Sequence, residues 1–278
     1  MITTEPTRPT APLFSARWTS PAPDDAEAAG RRAYLEGTAS ILWGVRHASY
    51  RALGLRGGER VLDARCGVGT AAVELACIVG PGGRVDALDA DPAMAARTAA
   101  RQPGPESARI HAHSGDVRAL DFADGTFDAV RTDRLLVHLS AAEAPRAVAE
   151  LVRVSRAGGR IVLAEPNFAQ FAVDSDAAAA VLAGAAAQFA DPAAGLHARA
   201  ALLDAGCADV TVEVHPVVLT DLESFRLLAP AAEAVRLARA GVLAPDAAES
   251  AVADIDSRGA AGRLLAVHLF YVAAGTRP

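Results

Sequence analysis

Between residues 60 and 164 short runs rich in apolar and β-branched residues alternate with stretches of helical periodicity. A chain with that pattern buries both kinds of segment by forming a parallel sheet covered on its two faces by the connecting helices. Strands are expected at 60–64, 84–88, 109–112, 127–131 and 160–164, and helices at 70–79, 92–101 and 142–154, with Gly158-Gly159 as a helix stop. Upstream, Ala33, Leu35, Ile41, Leu42 and Val45 recur at helical spacing and predict one or two helices ahead of the sheet. After Pro166 the pattern changes to an Ala-rich helix at 175–190, a helix at 196–205, a strand at 210–219, two helices within 221–257 and a last strand at 264–273. The organisation read from this is a Pro-rich and acidic flexible leader at 1–24, a helical cap at 25–57, a core at 58–167, a helical insert at 168–200, and the rest of the core sheet with inserted helices at 201–278.

The charge of this chain excludes one class of function. Net charge is −6, and the basic residues are scattered, so no footprint for a phosphate backbone exists and no nucleic-acid partner is expected. All 27 basic residues are Arg, which with abundant Ala points to GC-rich coding and a bacterial source. Cys66, Cys77 and Cys207 are odd in number and lack metal-ligand spacing, so neither a disulfide framework nor a metal site is expected, and a reducing cytoplasm fits. The longest apolar run, 177–187, falls short of the about 20 residues a membrane span needs, so a soluble protein is expected.

The first strand and helix read VLDARCGVGTAAVELA. Glycines between a strand and a helix let a ligand lie against bare backbone at the helix N-terminus. Gly67-x-Gly69-x-x-Ala72 satisfies the dinucleotide fingerprint, and Asp89 follows Gly69 by 20 residues, where that motif places a ribose-binding acid. A nicotinamide cofactor therefore remains open on these residues alone.

Companion motifs separate the readings. After the first strand come LDADPAM, the tripeptide Gly115-Asp116-Val117, FDAVRTDRLLVHL and RAGGRIVLAEPNF, in that order. With this set the chain resembles the class I S-adenosylmethionine (SAM) dependent methyltransferases over roughly residues 30–275, and in particular the small-molecule enzymes of bacterial natural-product pathways. The resemblance implies an α/β fold: a Rossmann-like seven-stranded, mostly parallel sheet with an antiparallel last strand, helices on both faces and a helical cap. It implies SAM as cofactor. Asp63, Gly67 and Gly69 would form the first cofactor turn, Asp89 would accept both ribose hydroxyls, Asp116 and Val117 would meet the adenine, and Thr132, in the fourth-strand motif, would lie on the cofactor side. Each acid also has a local reading, Asp89 as a helix N-terminal acid and Asp116 as a turn residue.

The chain departs from the family at Arg65, which stands where the first glycine of the turn is expected. Two readings stay open: Arg65 pairs with the SAM carboxylate, or it fills the methionine pocket of a scaffold that no longer transfers methyl groups, as in a cyclase or isomerase. His138, just past the fourth strand, is the candidate general base, against a plain reading as a locally hydrogen-bonded helix residue. Tyr34, Trp43, His47 and Phe168 are candidate acceptor-pocket residues, and equally fit core packing. The expected activity is methyl transfer to a small, largely apolar molecule, with no membrane partner and a homodimer as the candidate assembly.

Overall fold

The computed structural model describes residues 25–228, 237–238 and 241–278; the 1–24 leader lies outside them. Helices α1 (Asp25–Ile41) and α2 (Trp43–Leu53) precede the sheet. There follow β1 (Arg60–Ala64), α3 (Thr70–Val79), β2 (Arg84–Asp89), α4 (Pro92–Ala99), β3 (Arg109–Ser114), β4 (Phe127–Asp133), a 3-10 turn at Leu136–His138, α5 (Ala144–Val154) and β5 (Ser155–Pro166). A second 3-10 turn (Phe168–Gln170), the two-residue β6 (Ala172–Val173), α6 (Asp176–Ala186), α7 (Ala194–Asp204), β7 (Ala208–Leu219), α8 (Leu222–Leu228), α9 (Pro245–Ala260) and β8 (Ala266–Thr276) complete the described chain.

Strands β3-β2-β1-β4-β5 are parallel, and β8 then runs antiparallel against β5. Ala273 of β8 faces Leu163 of β5 on one edge and Val212 of β7 on the other, so β8 is the reversed strand between β5 and β7. This is the expected sheet with β6 added, a short extension that pairs Ala172 with Val267. Alternation along the strands divides the core: Val61 and Val162 pack under α2 and α3, whereas Leu62, Ile161 and Leu163 pack with α5 and α7 on the opposite face.

Local chemistry sets the helix starts. Asp91 accepts the Ala93 amide as N-cap with Pro92 at the first helical position, and Ser175 caps α6 through the Ala178 amide. Gly69 opens α3 at φ 81°, and a Cβ there would lie 2.7 Å from Thr98 Oγ1, so both conformation and space demand glycine. Helix α5 ends at Val154, ahead of the expected Gly158-Gly159 stop, because β5 already begins at Ser155, paired with Phe127.

At the amino end of the sheet, Arg60 Nε and Arg84 Nε and Nη2 donate to the buried Asp86, and His113 Nε2 lies 2.8 Å from it. Burial works to raise the Asp86 pKa, but the hydrogen bonds from Arg84, Arg60 and His113 win and hold it at about 2. A carboxyl depressed in the folded state contributes stability above its unfolded pKa of about 3.9, and that contribution is lost as pH falls toward 2. Asp86→Asn is expected to cost roughly 2 kcal/mol at neutral pH and to flatten the loss of stability between about pH 4 and pH 2. Urea melts of both proteins across that range check it.

Candidate active site

The turn from Arg65 to Gly69 continues from the carboxyl end of β1 and is bonded to the carboxyl ends of β2, at Leu88 and Asp89, and β4, at Asp133. The Arg65 and Cys66 amides both donate to the Leu88 carbonyl, at 2.6 and 2.9 Å, which folds the turn back over β2. Arg65 adopts φ 76° and Gly67 φ 53°. For a residue with a side chain the left-handed conformation costs about 1–2 kcal/mol, so Arg65 holds its place under strain. Its Nη1 donates to the Asp133 carbonyl at 3.2 Å. Burial lowers its pKa, against the attraction of Asp89.

Asp89, buried at the end of β2, is organised by backbone. Its Oδ2 accepts the Gly67 amide at 2.8 Å and its Oδ1 the Asp91 amide at 2.9 Å. Burial raises its pKa against the pull of Arg65 and these two amides. Each carboxylate oxygen still has a second lone pair. Asp63, at 0% exposure in β1, accepts Arg131 Nη1 at 3.0 Å through Oδ1, and its Oδ2 has no hydrogen-bond partner among the described residues. Burial raises the Asp63 pKa, partly offset by Arg131.

Among the described residues Arg131 is the largest fully buried side chain, an arginine in the centre of the sheet. It donates to Ser49 Oγ at 2.7 Å, to Asp63, and to Asp133 Oδ2 at 2.8 Å, and its guanidinium carbon lies 5.4 Å from the centre of the Tyr50 ring. Burial disfavours its charge, but Asp133 and Asp63 keep the pKa above the usual value. Burial likewise opposes ionisation of Asp133, yet Arg134 and Arg131 hold it at about 2.

Two cavities meet over the turn. One is lined by Asp63, Arg65, Gly67, Arg131 and Leu35 of α1; the other by Gly67, Asp89, Asp91 and Met94. Leu35, Arg65 and Gly67 border both, so they form one groove from Asp63 to Asp91 with Leu35 and Arg65 at its waist. A Cβ on Gly67 would lie 3.0 Å from Leu35 Cδ1, a close approach of α1 to the turn.

Of the other expected site residues, Tyr34 is buried beside this groove, with Arg134 Nη1 3.3 Å from its hydroxyl. His138 is buried on the turn after β4, where burial first, and then Arg65, Arg134 and Arg31, push its pKa well below the ordinary imidazole value. Asp116 lies apart: its half-exposed carboxylate is gripped by Arg118, which also pairs with Glu143. Val117 and Thr132 are buried and line neither cavity. Trp43 is 56% exposed and stacks on His47 at 4.1 Å, also outside these cavities. Phe168 stacks on Phe189 at 4.2 Å.

Two organising residues escaped the sequence reading. Arg131 is one. The other is Glu165, fully buried at the end of β5, which accepts the Leu135 and Leu136 amides at 2.9 and 3.0 Å and the Val137 amide at 3.4 Å, and so fastens the turn that carries His138. Burial raises its pKa to about 7 against those amides. An acid at a strand's carboxyl end was the available signal, the same one that marks Asp63 and Asp89.

Residues 61–159 match the methyltransferase domain family. The demethylmenaquinone methyltransferase of Beutenbergia cavernae is 41% identical over 133 residues, covering 47% of this chain and 50% of that protein. The chain spans about a third to a half of the length of the curated relatives it matches. Among solved structures, the YcgJ protein from Bacillus subtilis superposes with a TM-score of 0.58 at 16% identity, over 85% of this chain and 99% of that one. The [4+2]-cyclase SpnF gives a TM-score of 0.51 at 18% identity, over 93% and 98%. Likeness at such identities concerns the fold alone.

Proposed function

We propose that the whole chain, whose residues 61–159 match the methyltransferase domain family, transfers a methyl group from SAM to a small, largely apolar molecule, in the natural-product chemistry of a bacterial cytoplasm. The observation that carries this reading is the convergence of Asp63, the Gly67 turn and Asp89 on one groove. A buried carboxylate oxygen without a partner suits an ammonium, the spare lone pairs of Asp89 suit a pair of ribose hydroxyls, and the uncapped start of α3 leaves amides for an anionic group. The residues present therefore fit SAM, with Asp63 and Arg65 at its amino-acid end and Asp89 at its ribose.

Bound there, SAM supplies a methyl carbon activated by a sulfonium. The chain's own contribution is to position the acceptor and exclude water. Burial and the three neighbouring guanidiniums keep the His138 imidazole neutral at pH 7, the form that takes a proton from an acceptor hydroxyl. Glu165 positions that imidazole by holding the backbone of its turn.

The test is transfer of label from methyl-labelled SAM into organic-extractable products, using a panel of hydroxylated aromatic and terpenoid acceptors. His138→Ala is expected to leave cofactor affinity within about twofold and to lower turnover roughly 100-fold or more. Unchanged turnover removes His138 as the base. The strained Arg65 favours a second reading, a cyclase or isomerase that keeps SAM without using its methyl. Cofactor binding with no label transfer to any acceptor supports that reading instead.

A further inference from the structure

Among the described residues β7 pairs only with β8, so its other edge ends the sheet. The register fixes which backbone groups face outward there. The Leu269 carbonyl accepts the Asn167 amide beyond the end of β5, and Arg277 bonds to Gly158 and Gly159 on the same side. Backbone direction alternates along a strand, so His268, Phe270, Val272 and Ala274 turn the other way, toward β7, where they face Val217, His215, Glu213 and Thr211. The amides and carbonyls of Val212, Val214 and Val218, and the carbonyl of Pro216, therefore point away from the sheet, and no described residue bonds to them.

The opposite edge of the sheet is closed. At β3 the Gln102 side chain donates to the Ile110 carbonyl at 2.8 Å and accepts the Ile110 amide at 3.1 Å, which blocks another strand from pairing there. Along the 12 residues of β7 only Pro216 interrupts the outward row, by removing one donor. Val212, Val214 and Val218 share one face and are 36%, 49% and 55% exposed. A long, bare edge with exposed valines is a template for a further strand. An open groove lined by Ile41, Gly44, Val45, Pro216 and Val217 leaves room for one along that edge.

The side chains on the α2 side of β7 indicate which strand fits. Glu213 lies 3.2 Å from His215 and 3.8 Å from Arg51 of α2. Two copies of one strand pair antiparallel about a two-fold axis. With the axis at Val214, the two Val214 residues exchange amide and carbonyl, and Glu213 of each copy faces His215 of the other with Arg51 beside it. An axis at Glu213 or His215 sets like against like, and one at Pro216 has no donor at its centre. An axis at Val212 runs into the irregular start of β7, where the register shifts between Ala208 and Thr211.

We infer that the chain forms a two-fold homodimer by antiparallel pairing of β7 with β7 of a second copy, centred on Val214, so that two sheets join into one. This interface is independent of the methyltransferase reading.

Sedimentation of the full chain across the micromolar range tests it. The wild type is expected at twice the chain mass. Val214→Glu, which sets like charges opposite each other on the axis at a half-exposed position, is expected to sediment as a monomer with unchanged far-ultraviolet circular dichroism. His215→Glu should weaken the dimer about fivefold or more, whereas His215→Arg should leave it as tight or tighter, because only the first opposes Glu213 of the other copy. The register is read separately by cysteines placed in a Cys77→Ser background, which removes the exposed native thiol. Val214→Cys is expected to form an intermolecular disulfide on mild oxidation, since facing residues of a bonded antiparallel pair lie about 5.5 Å apart. Val218→Cys, far from its own copy in this register, is expected to form none. A wild type that stays monomeric, a dimer that survives Val214→Glu, or a disulfide at Val218→Cys in place of Val214→Cys overturns the inference.

Discussion

Asp89→Ala is expected to weaken S-adenosylhomocysteine binding on the order of a hundredfold, about 3 kcal/mol, while the protein stays folded. Two charge-assisted bonds to the ribose would be lost together. The carboxylate also holds the Gly67 and Asp91 amides, so the groove loses an organiser as well as a ligand. Asp89→Asn, which keeps one acceptor, should fall between. Affinity within a few-fold of wild type in Asp89→Ala would return Asp89 to a purely local role at the start of α4.

Arg131→Met is expected to destabilise the fold by about 3–5 kcal/mol, the effect of leaving buried carboxylates without their counter-ion. Asp63 has 0% exposure and Asp133 is also enclosed, and both lean on this guanidinium. Methionine follows the apolar stem of the side chain but stops short of the guanidinium, so the loss combines the missing charge with a small void. The destabilisation should shrink when Asp63→Asn is added, since that removes one of the stranded charges. Urea melts of the single and double variants measure this. A loss under about 1 kcal/mol would mean that the carboxylates protonate or rehydrate without penalty.

The parallel half of the sheet was legible in the sequence because each element carries its own signal there. Strand β1 and helix α3 occupy the residues that apolar runs and the Gly67-Gly69 turn predict. The strand after α5 begins earlier than its apolar run, at Ser155, because the intervening backbone bonds to distant partners, Gly158 to Arg277 among them. Strand β6 has no periodicity to read; two residues pair only because β8 extends past the end of β5. In α6 nearly every residue is apolar, so the expected end at 190 had nothing to mark it, and the helix stops at Ala186.

The site divides the same way. Asp63 was recognised through the family resemblance, and Asp89 through the same resemblance and its place 20 residues after Gly69. Arg131 was not, since its partners Ser49 and Asp63 lie 82 and 68 residues away and become neighbours only when α2 and β1 pack on β4.

The central claim is that the groove between Asp63 and Asp91 holds a sulfur nucleoside. Calorimetric titration of the full chain with S-adenosylhomocysteine, and separately with NADH, tests it most directly. Micromolar binding of S-adenosylhomocysteine, reduced in Asp89→Ala, with no heat from NADH, is the expected result. Binding of NADH alone, or of neither, would contradict the claim and mean that Arg65 has closed the groove to the donor.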